Sequence, residues 1–588
     1  MSGWSRGVRD AEAPTDGVQR ESARAVPVIG LVLFVAVAGL WALHGLTRGV
    51  EHLGGDQHLI LAFVLKDAEP ELFPTDLIFD KTGFIGRYVP LYTSFLGWAY
   101  RLTGDPATGY RVLVFPVTLV YLLGAYWAFV HLSGNRWGAV ALAIFSSFPT
   151  RVPLANEIFG VGPINVMLAR TIVAGAFPLL FFGFCKSIER PWRLGLLFFV
   201  IGLLANFYPV SPLYAVLVLL VLYVLLTGVT RRSWLTAVGL GSAALVGATP
   251  IVWSQVRAAI YRAQQAGEIG DAAARKVAVD WLGYVSYPPR TLSVLPPALA
   301  QSLTLGILTA SIVIVVCAWR KGRHPSGRAF HLAGVASIAF LLFPEAGLVI
   351  ATAVVLFLLP QGNRAGDGER IAVYFCFALF WIILAELMVF RLGPLNQPAL
   401  YVVLTRGAQF APFGLFLLLA VAAGVVDWSR VKRLARVTCV ALVVLTAFWQ
   451  IRHTVRTYLR TRGDAVAADL AAVAEWARKE TAPSDLFLFD SAAFRVMARR
   501  SLVFSSKDHG PVLIDRSDRA AAWLEWKRAM RAAGDDPEGL VQLGRRYGAQ
   551  YVVAPRRSVS DVGRQDIRYV NRSYAVLSTG ADRRLGGG

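Results

Sequence analysis

Val26-Pro-Val-Ile-Gly-Leu-Val-Leu-Phe-Val-Ala-Val-Ala-Gly-Leu-Trp-Ala-Leu-His-Gly-Leu46 carries no acidic residue, lysine or arginine, and it is followed by Glu51-His-Leu-Gly-Gly-Asp56-Gln-His58. At about 1.5 Å per residue the apolar run is long enough to cross roughly 30 Å of hydrocarbon. About 25 mostly polar residues precede it, and no small-residue cleavage site follows, so it reads as a retained first span and not as a removed signal. The carboxylates that come next are then held at the surface of a bilayer.

Composition agrees with a membrane chain. Hydrophobic residues make up 55% of the sequence and charged residues only 16%, more apolar than a soluble domain. Further apolar runs fall at 110–132, 137–150, 168–187, 193–209, 212–228, 233–253, 298–319, 329–343, 346–360, 371–391, 409–427 and 434–452, thirteen spans with the first. The pair 329–343 and 346–360 is short and is divided by Pro344-Glu345-Ala-Gly347, which disfavours one continuous helix.

The net charge of +21 is scattered among loops: Arg136, Arg190 with Arg193, Arg231-Arg232, Arg320-Lys321-Gly-Arg323, Arg364 with Arg370, and Arg430-Val-Lys432-Arg433. Alternate loops are the basic ones, as expected of loops kept in the cytoplasm. The expected topology is therefore N-terminus cytoplasmic and C-terminus outside, with no nucleic-acid partner. Cys185, Cys317, Cys376 and Cys439 all lie in apolar runs, which leaves no disulfide framework or cysteine zinc motif.

Between the first loop and the second span, Leu91, Phe95, Trp98 and Leu102 share one helical face, which predicts a helix lying at the interface. After about residue 455 the texture changes. Helices are expected at 464–480, 518–533 and 537–547, and strands at 486–490, 501–505, 550–554 and 574–577. The expectation is a polytopic α-helical membrane protein with a small C-terminal α/β domain: a tail over 1–25, a membrane part over 26–455 with its first outer loop at 47–105, and the α/β domain over 456–588.

In that loop a helix from Asp56 to Lys66 would put Asp56 and Asp67 near one face while Leu59, Ile60 and Phe63 rest on the membrane. Pro70 and Pro74 then break the chain before Asp76 and Asp80. His52 and His58 flank Asp56, and a divalent cation could sit among the three, although the spacing matches no strong metal signature.

Taken in order, a first span, a loop of two interfacial helices with an early Asp, a Pro-Leu-Tyr helix, many spans and an outer α/β domain resemble the glycosyltransferase C (GT-C) superfamily. Gly55-Asp56-Gln57, Leu72-Phe73-Pro74-Thr-Asp76, Phe494-Arg495 through Ala498-Arg499-Arg500-Ser501 with Lys507, and Tyr547-Gly-Ala-Gln-Tyr551 look most like a bacterial branch carrying a C-terminal extracytoplasmic domain. The resemblance implies transfer of a sugar from a polyprenyl-phosphate donor to a glycan, lipid or protein acceptor on the outer face of the bacterial cytoplasmic membrane. It makes Asp56 the catalytic base, with Asp76 next, and gives Glu51 and His58 to the substrate. Arg170 and Arg406, at the outer ends of spans, would hold the carrier phosphate or anchor in lipid headgroups. The chain lacks the adjacent Asp-Glu pair and the Trp-Trp-Asp motif of some members, which points away from peptide-Asn glycosylation. No Walker loop is present, so nucleotide-driven chemistry is not expected. The competing class is a transporter or flippase of a lipid-linked or anionic substrate, but no inverted repeat is visible in the hydropathy.

Overall fold

The computed structural model describes residues 17–79, 89–152, 157–265, 407–425, 465–514, 516–559 and 566–580, with scattered positions at 273–277 and 368–382. The runs expected at 298–319, 329–343, 346–360 and 434–452 lie outside the described residues, as do Arg406 and Asp80.

Among the described residues, the apolar runs form helices. α1 is Gly17–Leu46, and after the first loop come α2 (Gly55–Ala68), α3 (Pro90–Thr103), α4 (Thr108–Ser133) and α5 (Arg136–Ser147). A short antiparallel ribbon follows, β1 (Thr150–Val152) against β2 (Glu157–Phe159). Then come α6 (Ala169–Ser187), α7 (Pro191–Leu204), α8 (Val210–Thr227), α9 (Arg231–Gly247), α10 (Thr249–Gln265) and α11 (Ala411–Val425). Among the described residues, four helices are long and apolar enough to cross a membrane: Pro27–Leu46, Thr108–Ser133, Ala169–Ser187 and Val210–Thr227. α4 is central, packing against α1, α3, α5, α6 and α11. The aromatic core behind it joins Phe177 and Phe181 of α6 to Phe413 of α11, each pair with ring centroids 5.4 Å apart, within the range of favourable aromatic contacts.

Three expected spans are altered. The run at 137–150 gives only the 12-residue α5, too short to cross, because the chain turns into the ribbon at Pro149. The run at 193–209 ends as a helix at Leu204. The run at 233–253 is bent by 69° between α9 and α10. Pro250 supplies the break, and buried Asn206 takes up the backbone groups it frees: Nδ2 donates to Gly247 O (3.2 Å) and Oδ1 accepts from Ile251 N (3.1 Å).

α7 and α9 touch backbone to backbone. A Cβ on Gly202 would sit 2.0 Å from the Ala244 carbonyl oxygen, and one on Gly247 2.2 Å from that of Phe199. Because the obstacle is backbone, it cannot swing away. Gly202→Ala is expected to lower stability by about 1–3 kcal/mol, the usual cost of overpacking. Gly239→Ala, where nothing lies within 4 Å, should leave the thermal unfolding midpoint of the solubilised protein unchanged.

The first loop folds inward more than its sequence pattern suggests. Leu61, Ala62, Phe63, Val64 and Leu65 of α2 are buried, and Leu59 and Ile60 pack against the same core. For Phe63 the expectation of a place on the membrane is corrected: its buried ring lies 4.4 Å from that of Phe79, whereas Leu59 and Ile60 are only half-buried. The exposed stripe of the loop is on α3, where Leu91, Trp98 and Leu102 face outward and Tyr92, Leu96 and Tyr100 inward.

The C-terminal part comprises α12 (Ala465–Glu480), β3 (Leu486–Leu488), α13 (Ala492–Ala498), β4 (Ser501–Leu502), α14 (His509–Ile514), α15 (Ala520–Ala533), α16 (Pro537–Arg546), β5 (Tyr551–Pro555), β6 (Ile567–Val570) and β7 (Tyr574–Ser578). The strands form one sheet in the order β4-β3-β5-β7-β6; β4, β3 and β5 run parallel, and the β5-β7-β6 half is antiparallel. Phe487, Leu502, Val553 and Val576 share a cluster with Val473, Ala474 and Ala477 of α12 and Phe494 of α13. Leu488, Val552 and Leu577 instead join Trp523 and Trp526 of α15 and Leu540 and Leu543 of α16 in a core continuous with that of the loop. α13 lies directly against α2.

Candidate functional site

The site begins at the N-terminus of α2. Gln57, wholly buried, fixes it: its Oε1 accepts from Gly54 N (2.7 Å), and its Nε2 donates to Ile164 O (2.7 Å) and Met167 O (3.1 Å). Tyr92 Oη donates to the same Met167 carbonyl at 2.7 Å, and Tyr110 Oη to Gln57 O at 3.2 Å. These bonds join the start of α2 to the turn that leads into α6, whose second residue is Arg170. Two helix N-termini are thereby held side by side, an arrangement that favours negative charge.

Asp56 stands there with its side chain 49% exposed, and Lys507 of the C-terminal part reaches over to it, Nζ to Oδ1 at 2.9 Å. Gly55 makes room, for a Cβ at that position would lie 2.6 Å from Lys507 Cε. Burial alone would raise the Asp56 carboxyl, but Lys507 and Arg170 together overcome it and hold the group down at about 2. His509, two residues from Lys507, adds a smaller pull in the same direction. Its own imidazole is held below the usual value by burial, and its Nδ1 bonds Ser506 O at 2.7 Å. At neutral pH the result is an ionised carboxylate, partly open, between two cations drawn from different parts of the chain.

Asp76 has a different setting. It is 1% exposed and Arg495 is 0% exposed. Its Oδ2 accepts from Arg495 Nε (2.8 Å) and Leu502 N (3.0 Å), and its Oδ1 from Ile78 N (3.0 Å). The other edge of the guanidinium forks onto Asp508, with both bonds at 2.9 Å, and Phe79 lies 4.9 Å beneath it. Burial and the nearby Asp508 push the Asp76 carboxyl up, while the two carboxylates hold the Arg495 guanidinium charged. Geometry makes Asp76 half of a clamp between the first loop and the C-terminal part, closed off from solvent. A second, more exposed tie joins Glu69 to Arg499 at 3.0 Å, and Thr75 N donates to Ser501 Oγ at 3.2 Å. Phe73, beside this clamp, adopts φ 57°, a conformation that costs a non-glycine residue on the order of 1 kcal/mol and that burial of its ring against Phe79 offsets.

The other expected substrate residues divide. His58 is buried and turned inward, its Nε2 donating to Val50 O at 2.7 Å, and burial lowers its pKa. That geometry braces the Val50–His52 turn against α2. Glu51 pairs with His52 Nδ1 at 2.8 Å. Arg170 comes to Asp56, and Arg406 lies outside the described residues. Among the described residues, no three His, Cys, Asp or Glu side chains are grouped to hold a metal ion, so His52, Asp56 and His58 do not form the cation site that their spacing allows.

Sequence reasoning did not assign Lys507 or Gln57 a role. The available signal was the pairing of motifs: Gly55-Asp56-Gln57 and Pro74-Thr-Asp76 meet the Arg495–Lys507 stretch in space.

No family model matches the sequence, and no curated protein matches it. Among solved structures, the chain is similar to the crystal structure of ArnT from Cupriavidus metallidurans bound to undecaprenyl phosphate, at 15% identity and a TM-score of 0.36, covering 95% of this chain and 99% of that one. The apo form of the same protein aligns at 14% identity and a TM-score of 0.36, covering 94% and 98%.

Proposed function

We propose that this protein is a membrane glycosyltransferase of the GT-C type that moves a sugar from a polyprenyl-phosphate donor to an acceptor hydroxyl at the outer face of the bacterial cytoplasmic membrane. The observation that carries the reading is the ionised, partly open Asp56 carboxylate beside Lys507 and Arg170, in a chain with helices long and apolar enough to span a bilayer. In an inverting displacement the acceptor oxygen attacks the anomeric carbon, its proton passes to Asp56, and the bond from that carbon to the phosphate oxygen breaks with its electron pair left on the lipid phosphate. Cations beside the leaving group stabilise the charge that develops there. Arg170 and Lys507, whose charges act on Asp56, are the candidates for that work.

The test is direct. The purified protein, reconstituted in vesicles with a polyprenyl-phosphate sugar and membrane glycolipid acceptors, should release polyprenyl phosphate in proportion to glycosylated product. Flux of the intact donor between leaflets, with no glycosidic bond made or broken, would replace the enzyme with a transporter.

The same reading sets the topology: Asp56 and the C-terminal domain share one side, outside. Reporter fusions at Gly580 should read as extracytoplasmic and those at Ser326 as cytoplasmic. A cytoplasmic signal at Gly580 would remove the outer-face site.

A further inference from the structure

We propose that Lys507 serves two anions in turn, passing from the Asp56 carboxylate to the phosphate of the incoming donor, so that donor binding uncovers the residue that takes the acceptor's proton. The inference rests on the function proposed above and concerns the control of that site.

Three observations support it. First, the backbone that carries Lys507 is fixed. Ser505 N donates to Asp508 Oδ2 at 2.7 Å, Trp523 Nε1 to Ser505 O at 3.0 Å, and Asp508 is itself gripped by Arg495. Second, the side chain is not enclosed: it is 37% exposed and lies in the gap left by Gly55, with its ammonium on Asp56 Oδ1. A lysine is a point charge on a flexible stem, so it can leave one oxygen anion for another a few ångströms away without loss of a planar fit. Third, Asp56 paired in this way is a poor proton acceptor. Held at about 2, it lies far from the neutral range in which a general base works best.

The charged groups that face Asp56 explain what release would do. Lys507 and His509 approach from the C-terminal part and Arg170 from α6, and all three favour the ionised carboxylate. Removal of Lys507 takes away the ammonium that lies 2.9 Å from Oδ1 and leaves Arg170 as the main cation, so the carboxyl rises and becomes a better base. A phosphate that attracts Lys507 would thus strengthen the base at the moment when the sugar is in place, and an acceptor arriving first would meet a masked carboxylate. Donor would bind before acceptor.

Equilibrium binding of a polyprenyl monophosphate to the full-length protein in lipid nanodiscs tests the exchange without turnover. Asp56→Asn removes the competing anion and should tighten binding about tenfold. Lys507→Met should weaken it by a similar factor, and the double variant should match Lys507→Met. Gly55→Ala, whose methyl displaces the lysine stem from the carboxylate while leaving both charges intact, should also tighten binding, and it guards against a misfolded Asp56 variant. A merely structural ion pair predicts equal weakening, or no change, in the two single variants, and either result overturns the proposal. Absence of binding by the wild-type protein would instead sink the lipid-phosphate reading and this inference with it, so the two failures are told apart.

Discussion

Asp56→Asn is expected to reduce sugar transfer by on the order of a hundredfold or more, the usual cost of losing a general base, with the protein still accumulating in the membrane. The substitution keeps the size of the side chain and removes its basicity. The measurement is initial rate per mole of reconstituted protein at saturating donor, alongside a thermal melt to show that folding is unchanged. Asp76→Asn should behave in the opposite way, lowering yield and melting temperature first, because its carboxylate is buried against Arg495. Full activity in both variants would end the enzymatic reading of this loop. The pH dependence carries a second sign. In free enzyme Asp56 titrates at about 2, so its protonation should cause no fall in kcat/KM between pH 8 and 5. The acid limb of kcat, which reports the donor-bound enzyme, should lie higher, because Lys507 has left the carboxylate. In Lys507→Met the two limbs should draw together.

How far the sequence announced this arrangement depends on the distance over which each residue acts. The tail was legible because its helices and strands follow from local periodicity: α12, α15 and α16, and strands β3, β5 and β7, fall where the pattern places them. β6 escaped because Ile567-Arg-Tyr-Val570 is only four residues long and is interrupted by Arg568, and α13 because it is a helix of only seven residues. Asp56 was legible as a polar residue just past a span. Asp76 looked equivalent, and what separates the two is Arg495, 419 residues further on. His58 shows the same limit at short range: proximity to Asp56 in sequence is real, but the helix turns its ring toward Val50. The apolar residues of α2 were misread for a related reason. A hydrophobic face predicts burial and not its partner, and here α13 of the C-terminal part and α3 of the loop both lie against α2 as its cover.

That cover makes Arg495 the residue whose loss should be most damaging to the structure. Arg495→Met would preserve much of the volume while leaving Asp76 and Asp508 buried without their common cation. Breaking a buried pair by removing one partner costs about 3–5 kcal/mol, a large part of the roughly 5–15 kcal/mol that stabilises a typical domain. Lysine should not rescue it, because a point charge cannot bond both carboxylates in the forked geometry of Nε, Nη1 and Nη2. Arg499→Ala is the contrast: its pair with Glu69 is 28% exposed on both sides, and such pairs contribute at most about 1 kcal/mol. Hydrogen exchange should report the difference, with the amides of α13 and of Ile78 and Leu502 losing protection in Arg495→Met and keeping it in Arg499→Ala. The functional consequence runs through the turn that bears Lys507. Asp508, freed from Arg495, no longer fixes Ser505 N, so the lysine loses its place over Gly55 and affinity for a polyprenyl monophosphate should fall as it does in Lys507→Met. Unchanged affinity in an Arg495→Met protein that still folds would mean that the clamp and the site are independent.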